Sequence, residues 1–254
     1  VGGAIGAALL PVIAYYWGFA LVYAVLALMC LMSAGATWLW LHEYPLTPQP
    51  EADHAPTNLP SPLKRWAVWR LALASGLLTV PQIAVLTFAG IYLHDAHHLG
   101  MDMLVLLLII VQLLGGALRI LSGRLSDKYR NRRRFIRGFG MLAGLTMIGA
   151  ALSHSGPSSV VWLLICCSGI FANAWHGVAY TEIAVMAGAH RAGSAIGLEG
   201  MAVFSAAFVT PFLMPIILAH TSWPAVWGLI GMVALIAVPL APGQSANKHK
   251  IGSA

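Results

Sequence analysis

Residues 115–134 read Gly-Gly-Ala-Leu-Arg-Ile-Leu-Ser-Gly-Arg-Leu-Ser-Asp-Lys-Tyr-Arg-Asn-Arg-Arg-Arg. The stretch starts inside an apolar run, 102–122, and ends in a dense group of cations. Half of the 14 Lys and Arg residues fall between Arg124 and Arg137. Cations packed directly behind an apolar segment mark the side of a bilayer on which a helix end is retained, better than they mark a nucleic-acid surface.

Composition supports this reading. Hydrophobic residues make up 59% of the 254-residue chain and charged residues 9%, against roughly 25% charged in ordinary soluble domains. A fold of this length in water lacks the charge to cover its surface, so lipid is the expected solvent and nucleic acid is not an expected partner. Cys30, Cys166 and Cys167 all lie within apolar runs and read as small packing residues rather than disulfide or metal partners. The chain opens at Val1, already apolar, with neither a charged leader nor a cleavage site. That opening is the one expected of a longer protein whose start is missing.

A helix crosses the hydrocarbon core in roughly 20 apolar residues. Eight candidate spans meet or approach that length: 1–16, 18–41, 66–93, 102–122, 135–153, 159–187, 193–218 and 223–241. Alternating the connections sorts the cations. One side receives Lys64, Arg65, Arg70, the group from Arg119 to Arg137, Arg191, Lys248 and Lys250, and the connections at 16–18, 94–101, 153–158 and 219–222 carry none. The cation-rich side is expected to be cytoplasmic, C-terminus included. Segment 42–65 holds Pro45, Pro48, Pro50, Pro56, Pro60 and Pro62 and reads as an extended linker.

On these residues the chain resembles the major facilitator superfamily. The loops after helices 2 and 8 of that family carry a Gly-x-x-x-Asp-Arg/Lys-x-Gly-Arg-Arg pattern, matched here by Gly123, Asp127 and Lys128. Arg130 stands where the pattern has its Gly, and Asn131 at the next basic position, so the turn is expected to differ in shape. Gly2, Gly6 and Pro11, followed by Trp17-Gly18-Phe19, loosely resemble family helix 5 and its following turn. The resemblance implies an all-α membrane protein with eight transmembrane helices, part of a twelve-helix fold. Residues 1–41 would then be the last two helices of the N-terminal half and 42–65 the central loop. Residues 66–242 would be the C-terminal six-helix half and 243–254 a cytoplasmic tail.

Polar groups inside hydrocarbon are costly unless paired, so their positions are informative. Gln82 follows Pro81 in the third span and Gln112 sits near the middle of the fourth. Asn173, His176 and Tyr180 recur at spacings of three and four in the sixth, which puts them on one face of an unbroken helix. The resemblance implies a central cavity lined by these helices, making the five residues candidates for solute contact. Interhelical hydrogen bonding is the competing role. His176 titrates near neutral pH and offers either a proton relay or a neutral hydrogen bond. Trp175 offers a face for stacking or simple packing.

Gly123 is expected to permit close helix packing, and Asp127, Lys128 and Arg132 to gate the cytoplasmic side. Arg119, Glu182 and Glu199 are expected to join in one charge network there. The run His94-Asp95-Ala96-His97-His98 has metal-like spacing but reads as a solvated helix end, and no metal or cofactor is expected.

The function expected is secondary transport of a small solute by alternating access, with coupling to a proton or ion gradient as the default and facilitated diffusion as the other option. The setting is a multi-pass integral membrane protein, by expectation of a bacterial inner membrane. A membrane sensor or non-transporting subunit is the alternative. An embedded enzyme is less favoured, because no His-Glu-x-x-His motif or clustered carboxylates appear. No Gly-rich nucleotide loop with Lys-Ser/Thr is present either, which leaves ATP-driven transport to another subunit.

Overall fold

The structure, a computed structural model, describes residues 2–40, 61–188 and 191–242. Most of the Pro-rich segment, and the tail with Lys248 and Lys250, lie outside the described residues. Eight α-helices occur among the described residues: α1 (Gly2–Trp40), α2 (Trp66–His97), α3 (Met101–Lys128), α4 (Arg132–Leu152), α5 (Ser158–Ala174), α6 (His176–Ala187), α7 (Ala192–His220) and α8 (Trp223–Leu240). A 3-10 turn, Pro62–Lys64, precedes α2, and no strand occurs among the described residues. The chain divides into two compact units, one carrying α1 and the other α2 to α8.

Seven helices among the described residues are long and apolar enough to cross a membrane, with Ser158–Ala187 counted as one. Eight were expected, and the difference lies in α1. Both expected spans are helical, but they run on from one another through Gly18, whose φ of 79° and ψ of 169° break the helix. Only a residue without a Cβ takes such a backbone at little cost. At about 1.5 Å per residue, the part after Gly18 covers about 33 Å and the part before it about 24 Å. The part after Gly18 is by itself long enough to span the roughly 30 Å hydrocarbon core.

The second unit is built inside out by the standards of a soluble protein. Its interior is lined heavily by small residues, including Ala72, Ala74, Ala84, Ala89, Ala143 and Ala150, all 1% exposed or less. Large apolar side chains point outward, with Phe204, Phe208 and Phe212 on α7 left 72%, 75% and 65% exposed. Lipid chains are as apolar as these rings, so nothing drives them inward. Close contact between small residues holds such helices together instead.

Helix α2 packs on α5, α7 and α8, while α4 packs on α5 and α8, and α3 on α5. Two apolar clusters result. One gathers Leu71, Ile136, Trp175, Ile183 and Leu198, and the other Val85, Leu107, Met147, Ile165 and Trp227.

The two ends of this unit differ chemically. At one end, arginines cover carbonyls at the ends of helices. Arg65 bonds the Met186 carbonyl of α6. Arg70 donates to the carbonyls of Leu240 and Pro239 at 3.1 and 2.8 Å, and Arg137 reaches Ala241 twice, at 3.1 and 2.6 Å. The last carbonyls of a helix have no partner in the helix, and cations also suit its negative end. At the other end, the buried Tyr92 hydroxyl lies 3.0 Å from His154 Nδ1 and 3.1 Å from His97 Nε2, with Trp223 and Trp227 against its ring. His94 Nδ1 sits 3.3 Å from the Leu99 carbonyl. The histidine run is thus tied into the helix end rather than left wholly in solvent.

Helices α4 and α8 approach each other backbone to backbone. A Cβ at Gly231 would stand 2.9 Å from the Gly144 carbonyl oxygen, and one at Gly144 would stand 2.9 Å from the Gly231 oxygen. Backbone cannot retreat as a flexible side chain can, so Gly231→Ala should destabilise the protein by about 1–3 kcal/mol. Thermal melting followed by tryptophan fluorescence checks this, and an unchanged melting temperature would contradict the close approach.

Candidate functional site

Asn173 is where α2, α3 and α5 meet. Gln82 Nε2 of α2 donates to Asn173 Oδ1 at 2.8 Å. Arg119 of α3 donates to the same oxygen through Nη2 at 3.4 Å and to the Asn173 backbone carbonyl through Nε at 3.1 Å. These two donors identify Oδ1, which leaves Nδ2 as a buried donor with no partner among the described residues. Gly115 makes the meeting possible, because a Cβ there would stand 2.7 Å from Asn173 Cβ.

The expected continuous helix over 159–187 is interrupted at this point. Helix α5 ends at Ala174 and α6 starts at His176, with Trp175 between them. The segment 173–176 itself contains neither Pro nor Gly, but Gly177 follows it directly. The interruption also coincides with side chains of α3 reaching its carbonyls, Arg119 on Asn173 and Ser122 on Ala174 at 3.2 Å. A polar side chain inserted into the helical ladder is a recognised cause of a kink. Asn173 therefore belongs to one helix, and His176 and Tyr180 to the next. Trp175 nonetheless keeps helical dihedrals, φ -78° and ψ -25°, and His176 stays within reach of the Asn173 backbone and of Arg119.

His176 lies flat on Trp175, ring centroids 3.9 Å apart at 22°. Its Nδ1 is buried with no partner among the described residues, and Trp175 itself is fully buried. The structure therefore gives Trp175 a stacking partner within the chain and offers no open ring for a solute. Gln112 is half-buried and makes no hydrogen bond among the described residues. Spacings of four and seven put it on the α3 face that carries Gly116 and Arg119, and a Cβ at Gly116 would meet nothing within 4 Å.

Arg119, Glu182 and Glu199 do not form one network. Each meets a different partner. Arg119 turns to Asn173. Glu199 of α7 is fully buried and accepts from Ser75 Oγ of α2 at 2.6 Å, its Oε2 without a partner among the described residues. Thr79 Oγ1 donates to the Ser75 carbonyl at 2.9 Å. Tyr180, half-buried, lies within electrostatic reach of Glu199. Glu182 of α6 binds the start of α4 instead, with Oε1 2.6 Å from Arg133 Nε and Oε2 3.9 Å from Arg132 Nη1.

Arg132 also grips Asp127 Oδ1, through Nε at 3.0 Å and Nη2 at 2.7 Å. The turn after α3 is thereby linked through α4 to α6. Its strengths are uneven. Asp127 has 60% of its side chain exposed and Glu182 only 11%, so solvent screens the first pair far more than the second. Lys128 Nζ sits over the Tyr129 ring, 5.8 Å from its centroid. Gly123, expected to permit close packing, meets no described atom within 4 Å of a built Cβ. Arg130 has a left-handed backbone, φ 49°. The turn was expected to change shape where Arg replaces Gly, yet this position holds the conformation that favours glycine.

Sequence reasoning missed Ser75, Ser122 and Arg133. Ser75, Thr79 and Gln82 recur at helical spacing, and that periodicity of polar residues in an apolar span was the available signal. Ser122 is one turn from Arg119, and its role depends on a break that spacing does not announce.

Comparison with known proteins agrees with this architecture. Residues 1–211 match the family described as the Major Facilitator Superfamily. An uncharacterized MFS-type transporter of Mycobacterium tuberculosis strain H37Rv is 31% identical over 218 residues, 85% of this chain and 48% of that protein. Another, from strain CDC 1551, is 30% identical over the same share of each chain. The chain thus spans about half the length of these curated relatives. With seven membrane-crossing helices among its described residues and a family match running from residue 1 to residue 211, this multi-pass chain belongs to the major facilitator superfamily.

Proposed function

We propose that the chain forms part of a secondary active transporter that moves a small solute by alternating access. The observation that carries this reading is the polar node inside the membrane, where Gln82, Arg119 and Asn173 join three helices at an interrupted span. Nδ2 of Asn173 and Nδ1 of His176 are left without partners among the described residues. Buried polar atoms without partners are costly, and a solute bound during the cycle would supply them. Gln112, on the open face of α3, adds a free amide to the same path. Tyr180 is a further candidate for its wall.

On this reading 66–242 is the C-terminal half of a twelve-helix fold, and 1–41 the end of the N-terminal half. On the same reading the cation-rich end faces the cytoplasm of a bacterial cell, which the loop bias supports. The link from Asp127 through Arg132 to Glu182 and Arg133 holds the cytoplasmic end of α3, α4 and α6 in one arrangement, and Gly123 and Lys128 flank it. Breaking and remaking that link accompanies the change of access. A proton or ion gradient drives the cycle, and His176 and Glu199 are the buried groups placed to respond to it. A sensor of the same fold would keep the node and lose net solute movement, so transport itself separates the two readings.

Orientation is checked without knowing the solute. In a cysteine-free background, a cysteine at Asp95 should react with an impermeant maleimide added to intact cells, and one at Tyr129 should react only after lysis. Labelling of both from one side would sink the topology.

Uptake into vesicles tests the node. Asn173→Ala removes the acceptor shared by two helices, and both uptake and thermal stability should fall, uptake by about tenfold if the loss is near 1.4 kcal/mol. Gln112→Ala should raise the apparent KM with the melting temperature unchanged. His176→Ala should also reduce uptake, and full uptake by all three variants would remove the site from this region. Glu182→Gln should weaken both arginine contacts and speed maleimide labelling of a cysteine at Gly123. An unchanged rate would mean the link does not restrain that end.

A further inference from the structure

A second polar feature lies at the start of α4, apart from the node around Asn173. A cavity of about 210 Å³ is lined by Asn131, Arg133, Arg134 and Arg137. Sites that enclose drug-sized ligands span roughly 300–1,000 Å³, so this one suits a compact group. Its lining holds three cations and no carboxylate.

Two of the three guanidinium groups are held in place from behind. Arg133 Nε is fixed by Glu182 Oε1 at 2.6 Å, and Arg137 by the Ala241 carbonyl at 3.1 and 2.6 Å. Asn131 stands at the N-cap of α4 and makes no side-chain capping bond, which leaves its amide free for another partner. The first turn of α4 adds the positive end of its dipole, its Arg134 N–H already bonded to the Asn131 carbonyl at 3.1 Å. A concave wall of fixed guanidinium groups, an amide and a helix N-terminus is complementary to a tetrahedral oxyanion.

We propose that this cavity binds a phosphate group. The group comes from one of two sources, the headgroup of an anionic phospholipid or a free phosphate in the adjoining aqueous phase. Both present the same oxygens to the same donors. A general bias of cations toward one side of the bilayer does not require this cavity. Under that bias alone Arg124, which is exposed on the same stretch of chain and absent from the lining, would serve as well as Arg134.

That contrast supplies the test. The full chain, purified in a neutral detergent, is given phosphatidylglycerol and examined by native mass spectrometry for retained lipid. In parallel, binding of radiolabelled inorganic phosphate is measured at matched ionic strength. Arg134→Gln should weaken retention or binding by about fivefold, the effect of one cation near an anionic group. Arg124→Gln, equal in charge lost, should change it less than about twofold. Arg134 is exposed, so its replacement leaves the packed interior alone, and an unchanged melting temperature verifies that. Retention of phosphatidylglycerol alone identifies the lipid as the source, and binding of phosphate alone identifies the free anion. Binding of both supports a site that reads the shared oxygens. Failure of wild-type protein to hold either probe overturns the proposal, and so does equal weakening by the two substitutions.

Discussion

Hydrocarbon offers no hydrogen bonds, so every backbone group that leaves its helical partner must find another within the protein. Two features of this chain follow from that rule. At the interruption between α5 and α6, Arg119 and Ser122 of α3 take the carbonyls of Asn173 and Ala174. At the end of the bundle, Arg65, Arg70 and Arg137 take carbonyls at the ends of α6 and α8. The helices are thus joined by polar contacts where their own ladders run out, and by small residues elsewhere.

The node around Asn173 combines both devices. Glycine at 115 brings α3 close enough for Arg119 to reach across, and the bond it makes accompanies the interruption between α5 and α6. The same contacts that satisfy the backbone leave side-chain nitrogens of Asn173 and His176 without partners among the described residues. A site in a membrane protein can therefore arise as a by-product of repairing a helix. The repair brings polar atoms into hydrocarbon, and not all of them are used.

Much of the fold was legible in the sequence, because lipid imposes long apolar runs and the charge bias separates their ends. The pairing of Gln82 with Asn173 was half legible. Polarity at mid-span marked both residues, but spacing says nothing about which partner each meets. The break at Trp175 was only half legible, since Gly177 marks it locally while the side chains that take its carbonyls lie on α3. The expected meeting of Arg119, Glu182 and Glu199 failed for a related reason. Charge type and helix position suggest a common network, whereas contact also depends on direction around each helix, and direction is set by neighbours. Arg130 shows a third kind of gap. Its side chain suggested an altered turn, yet the backbone keeps the left-handed form usually left to glycine.

The arginine caps carry one further consequence, for how this chain tolerates drift between basic residues. Lysine and arginine are equivalent to the machinery that inserts helices, since both weight a loop toward the same side of the bilayer. They are not equivalent at positions 70 and 137, where Nε and Nη2 of one planar group each accept a role in holding the end of α8. A lysine there would present a single rotating ammonium in place of a rigid fork. An exchange invisible to membrane insertion would then loosen the last helix, and sequence change at these sites would be policed by the folded bundle after synthesis is complete.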